Sequence, residues 1–300
     1  MKTDSLKIAS MAVFACLLWS TAFVAIKIGL VSSSPFYFAG QRFILAGLIL
    51  LPFCGSLKKT IKEIVDNLRT VLLLSLFQTI ILYGLFFFAL TMTGGAIAAI
   101  VIGSQPIFAS LVAHFLIKND QMTIRNTVGV LIGVLGVVAI SISRFTFSFE
   151  NNLELIGMFM LVLGNVSSAF GNVIVSKARG AISPVVLSSA QMLLGGFVLL
   201  IMSLIFEGGN VARQLNLSYY ISLLWLSGVS ALAFSIWFKL LQTPGVKVSM
   251  LNTWKFIIPV SGATLSWVFL DKESPELIAI LGIIFVSVSI YIIQKRNIKV

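Results

Sequence analysis

Ser20-Thr21-Ala22-Phe23 lies inside one long apolar run, and Ser167-Ser168-Ala169-Phe170 lies at the matching place in another, 147 residues on. Outward from this pair the same order returns. Ser34-Pro35 followed by Leu45-Ala46-Gly47 is echoed at an offset of 149 residues by Ser183-Pro184 followed by Leu194-Gly195-Gly196. Pro106 and Pro259, each inside an apolar run, are 153 residues apart. Short apolar words recur by chance, but a shared order at a nearly constant offset describes a duplicated unit whose loops vary in length. The expected halves are residues 1–146 and 147–300, joined in a single integrated membrane domain.

Composition sets the surroundings of these runs. Hydrophobic residues make up 58% of the chain, charged residues 10%, and mean hydropathy is +1.06; a soluble domain would carry about 25% charged residues. Crossing a hydrocarbon core of about 30 Å takes about 20 apolar residues in a helix. Ten stretches qualify: 8–30, 35–54, 70–91, 95–117, 127–142, 155–175, 185–206, 219–240, 246–270 and 275–293. Backbone in lipid must satisfy its own hydrogen bonds, which leaves helices or closed barrels. Runs this long without strict alternation are helices. The expected fold is therefore an all-α membrane protein with ten transmembrane helices in two five-helix repeats. The first run, 8–30, reads as a permanent helix and not as a cleaved signal, because it spans and has a counterpart in the second half.

The net charge of +11 is a topology signal. With loops assigned alternately to the two sides, fifteen Lys and Arg fall on one side, while Arg144, Arg213 and Lys272 fall on the other. The positive-inside rule makes the first side cytoplasmic and places both termini there. No basic–aromatic motif accompanies the charge, so nucleic acid is not an expected partner; the lipid bilayer is. Five crossings per half make the halves run in opposite directions, an inverted repeat. Such repeats typify secondary transporters, which bind substrate near the midplane where the halves meet. The expected setting is the plasma (inner) membrane, of bacterial type, with the chain a monomer or weak homodimer.

Trp19-Ser20-Thr21-Ala22-Phe23, Arg42-Phe43 in the second run and prolines in the fourth and ninth resemble the EamA-type branch of the drug/metabolite transporter superfamily. The resemblance covers essentially the whole chain. It implies export of small metabolites such as amino acids, by alternating access, without a cofactor. In that branch the fourth and ninth helices commonly finish at an acid. Asp271 or Glu273 fits the ninth, whereas the fourth ends Leu116-Ile117-Lys118-Asn119-Asp120, with lysine near the expected position.

All ten acids lie in expected loops, tails or helix ends, but Lys27, Arg42 and Lys255 fall within runs. A cation at mid-bilayer costs about 2.5–3.5 kcal/mol on insertion scales and so faces a cavity or a partner. Lys27 is close enough to its helix end to snorkel. Arg42 lies seven residues inside its helix, about 10 Å deep at about 1.5 Å per residue, suited equally to structural bonds or to substrate. Lys255 is near the middle of the ninth run, on a stripe with Asn252, Pro259, Gly262 and Ser266. Pro259 lacks an amide hydrogen, so the Lys255 carbonyl loses its usual partner and the helix can bend. Lys255 is the leading candidate for contact with a substrate bearing a negative group; the competing role is a structural bond to a neighbouring helix.

Trp19 at mid-span is away from the interface that tryptophan favours, as a stacking wall or as a bulky packer. Ser20 and Thr21 beside it, Asn165 and Ser168 in the sixth run, and Gln41 and Gln191 in the second and seventh complete the expected substrate-binding set. Pro106 and Pro259 are the expected hinges. His114, the single histidine, suits a packing role. One histidine, two distant cysteines and no acid at depth assemble neither a catalytic set nor a metal site, so an enzyme is not expected. A lipid or lipid-linked metabolite flippase is the alternative reading, sharing cavity and repeats. Without an acid at depth, facilitated diffusion or exchange is the expected mode.

Overall fold

The computed structural model describes residues 2–90, 92, 101–144, 152–208, 216–261, 264 and 277–294. In order they form α1 (Lys2–Ser32), α2 (Pro35–Leu50), α3 (Leu57–Asp66), α4 (Leu68–Leu74), α5 (Leu82–Leu90), α6 (Gln105–Leu116), α7 (Ile124–Arg144), α8 (Asn152–Lys177), α9 (Pro184–Phe206), α10 (Leu217–Leu241), α11 (Val248–Asn252) and α12 (Leu277–Gln294). A π-helical segment, Ser75–Ile81, joins α4 and α5 into one rod. Among the described residues, eight helices are long and apolar enough to cross a membrane. The fifth run, read as residues 127–142, is a 21-residue helix.

The expected fourth and ninth runs are interrupted. A turn at Ser104 precedes α6, and Pro106 sits in the first turn of that helix. There a missing amide hydrogen costs nothing, because the first amides of a helix have no internal partner. Pro106 therefore starts a helix where a hinge within one was expected. In the ninth run, α11 gives way to a 3-10 turn at Thr253–Phe256 before helix resumes over residues 257–261. Pro259 removes the donor that would bond the Lys255 carbonyl, and the ladder tightens just before it. Residues 95–100, Gly262 and Ser266 lie outside the described residues.

Packing pairs α2 with α9, α7 with α12, α1 with α10, α8 with both the α4–α5 rod and α6, and α11 with α6. Small residues permit the closest approaches. A Cβ on Gly196 would lie 2.9 Å from the Gly40 carbonyl oxygen, and one on Gly136 would lie 2.6 Å from that of Gly282. Such contacts serve helices in lipid, where packing replaces the hydrophobic drive between helices. Phe43, Leu187, Met192, Trp237 and Phe238 fill the core, while Phe115, Ile124, Leu204 and Leu217 face outward, as lipid-exposed side chains would.

Carboxylates close three helix starts. Glu207, after α9, accepts from the amides of Phe36 at 2.8 Å and Tyr37 at 3.2 Å and from the Ser34 hydroxyl at 2.6 Å. Glu63 on α3 accepts from the Ser183 amide at 3.2 Å, just before α9. Asp120 accepts from the Ser249 amide at 3.0 Å and from its hydroxyl, in the first turn of α11. Negative charge at a helix N-terminus meets unpaired amides and the positive end of the helix dipole. Asp120, which follows the fourth run two residues after Lys118, is thus engaged at a helix start.

Candidate functional site

A cavity of about 160 Å³ lies where these helices converge, and no acid is among the described residues that line it. Lys255 reaches it from the 3-10 turn, only 8% exposed. Its ammonium donates to Gln105 Oε1 at 2.8 Å, and Gln105 Nε2 donates to Ser168 Oγ at 2.7 Å. The same ammonium lies 4.9 Å from the ring centroid of Trp237 and 5.5 Å from that of Trp19. The two indoles meet edge to face with centroids 5.2 Å apart. Aromatic faces attract a cation, most strongly out of water.

A polar chain fixes this aromatic box. Trp237 Nε1 donates to Asn172 Oδ1 at 3.2 Å, Asn172 Nδ2 donates to Asn252 Oδ1 at 3.0 Å, and Asn252 Nδ2 donates to the Val248 carbonyl at 2.9 Å. Asn252 therefore acts through Asn172 on Trp237, away from the cavity wall.

Arg42 lines the opposite part of the wall and is 3% exposed. Its Nε donates to Ser230 Oγ at 2.8 Å, and its guanidinium carbon lies 4.9 Å from the Phe43 ring and 5.6 Å from the Tyr83 ring. Both buried cations are thus held by neutral groups. Of the described acids, Glu63, Asp120 and Glu207 are occupied at helix starts.

The structure brings Lys255, Trp19, Arg42, Asn165 and Ser168 together on the cavity wall. It leaves five other expected residues off that wall. The Tyr219 hydroxyl donates to Gln41 Oε1, and the Thr79 hydroxyl donates to Gln191 Oε1. Ser20 Oγ donates to the Cys16 carbonyl at 2.9 Å, with the Ile258 carbonyl at 3.5 Å. Thr21 donates to the Leu18 carbonyl at 2.7 Å and accepts from Trp225 Nε1 at 3.1 Å. Asn252 is the fifth. The Lys27 side chain lies outside the described residues. His114 Nδ1 accepts from the Met122 amide at 3.0 Å, a local structural bond.

Sequence reasoning missed Gln105, Gln78, Trp237, Ser230 and Tyr83. Trp237 stands three residues before the end of its run, 219–240, near the interface where tryptophan is ordinary, so the sequence did not mark it. Gln78 stands inside the π-helical segment, a form enriched at functional sites, but neither composition nor periodicity marks that segment.

The EamA-like transporter family matches residues 6–142 and 155–294 of this chain. An uncharacterized transporter of Synechocystis is 27% identical, over 93% of this chain and 87% of its own. A WAT1-related chloroplast protein of Arabidopsis thaliana is 27% identical, over 92% of this chain and 66% of its own. The uncharacterized transporter YvbV of Bacillus subtilis is 25% identical, over 96% and 92% respectively. One solved crystal structure superposes over the full length of both chains with a TM-score of 0.80 at 15% identity, a likeness of fold.

Proposed function

Because this chain belongs to the EamA-like transporter family, we propose that it is a secondary transporter of small polar metabolites bearing a carboxylate, such as amino or organic acids, working as an exporter by alternating access. The observation that carries the substrate class is the cavity's charge: among the described residues Lys255 and Arg42 line it and no acid does. A buried cation without a charged partner is costly, and a carboxylate entering the cavity would supply one. Simple cations would be repelled. Gln105, Asn165 and Ser168 add neutral hydrogen-bonding groups, and Trp19 and Trp237 wall the lysine.

An inverted duplication of residues 1–146 and 147–300 is supported by the helix pairing. Exchanging equivalent runs leaves α2–α9, α7–α12 and α6–α11 unchanged and interchanges α1–α10 with the pairing of α8 and the α4–α5 rod. The Glu207 and Glu63 contacts at Ser34-Pro35 and Ser183-Pro184 exchange in the same way. Rocking of one half against the other around the cavity is the motion this pairing suits. The interrupted runs containing Pro106 and Pro259 meet there through Gln105 and Lys255.

Thermal stabilisation of the purified protein tests the substrate class, since a ligand that binds the native state raises the melting temperature by mass action. Amino acids or organic anions should raise it. Stabilisation by quaternary amines alone would contradict the proposal.

A further inference from the structure

Arg42 and Lys255 enter the cavity from opposite faces of the helix bundle. Arg42 follows the face where Glu207 meets Ser34 and Phe36. Lys255 follows the face where Glu63 meets Ser183, Arg179 meets the Leu241 carbonyl and Asp120 meets Ser249. Helix α10 serves as a ruler between them. Arg42 bonds Ser230, and Lys255 lies against Trp237. These two α10 residues are seven positions apart, two turns along one face, or about 10 Å at about 1.5 Å per residue. Phe234, between them, also lines the cavity.

We infer that the cavity takes a short dicarboxylate lying along α10, with one carboxylate on Arg42 and the other on Lys255. This rests on the reading that the ligand is anionic, and it sharpens that reading to two anionic ends. A short diacid with a charge-assisted hydrogen bond of about 2.8 Å at each end has a reach comparable to the spacing of the two α10 contacts. Succinate and glutarate have that reach. Neither cation has an ionic partner among the described residues, so a monocarboxylate would compensate one and leave the other's charge buried. The methylenes of such a ligand would pack on Phe234, which lines the cavity between the two cations.

The experiment titrates succinate, glutarate, butyrate and butane-1,4-diol into the purified full chain and follows the melting temperature. Succinate or glutarate should bind at least about ten-fold more tightly than butyrate, a gap of about 1.4 kcal/mol, and the diol should not stabilise. Arg42→Gln and Lys255→Gln should each erase the advantage over butyrate. Arg42→Lys and Lys255→Arg should retain it, and they serve if a glutamine variant does not fold. Equal affinity for succinate and butyrate overturns the dicarboxylate assignment and leaves the carboxylate transporter standing. Stabilisation by tetraethylammonium and by none of the acids overturns both.

Discussion

A lysine ammonium between two indoles and an amide, out of water, has unusual freedom to exchange partners. The cation–π contacts contribute about 0.5–2 kcal/mol each, and the bond to Gln105 is a single neutral one. An entering carboxylate therefore displaces weak competitors. Lys255→Gln should weaken carboxylate binding by at least about ten-fold, about 1.4 kcal/mol, while leaving the melting temperature of the ligand-free protein nearly unchanged. Asn172→Leu should do the reverse of a pure binding lesion. It strips partners from Trp237 and Asn252 together, at about 1–3 kcal/mol for a buried group left unpaired, and a lowered melting temperature checks it. Lys255 and Trp19 were legible in the sequence because each is out of place at mid-membrane. Gln41 and Gln191 were assigned to the cavity by depth, yet depth along a helix does not tell which way a side chain faces. Gln105 carried no distinguishing mark, being an amide before a proline in an apolar run.

At the scale of elements, the helix starts depend on acids from distant parts of the chain. Asp120, 2% exposed, satisfies both the amide and the hydroxyl of Ser249. Asp120→Ala should cost about 1–3 kcal/mol, seen as a lower melting temperature. Glu63→Ala, which loses one 3.2 Å bond, should cost less. The helices themselves were readable from apolar runs, and most bounds follow the sequence closely. The breaks in the fourth and ninth runs were only half readable: the prolines marked the right stretches, but the 3-10 turn depends on how the freed carbonyl of Lys255 is accommodated. The partner of Asp120 was not readable at all, since a loop carboxylate gives no local sign that it meets an amide 129 residues away. Close approach was better signalled. Gly136→Val would drive a side chain into the Gly282 backbone and should lower stability more than Val137→Ala in the same helix.

For the whole molecule, repeat and charge asymmetry make one account. Fifteen basic residues against three predict, by the positive-inside rule, that both termini are cytoplasmic. A reporter active only in the cytoplasm should therefore work when fused at Val300 and stay silent in the loop around Asn210. The reverse pattern would invert the proposed orientation. The proposed duplication rests in the sequence on a few short words that recur in the same order. The substrate could not be read, because family resemblance rests on small, aromatic and proline residues that build the frame around the cavity. With no acid among the described residues lining that cavity, labelled substrate should equilibrate into liposomes without a pH gradient.

The central claim, that Lys255 serves a cavity open in turn to each side for carboxylates, is tested most directly by counterflow. Reconstituted liposomes are loaded with unlabelled alanine, glutamate, succinate or pyruvate, and entry of the same labelled compound is followed. At least one should accumulate transiently in loaded but not in empty liposomes, and Lys255→Gln should abolish the overshoot. Counterflow of tetraethylammonium with none for any of the four acids, or an overshoot unchanged by Lys255→Gln, would contradict the account.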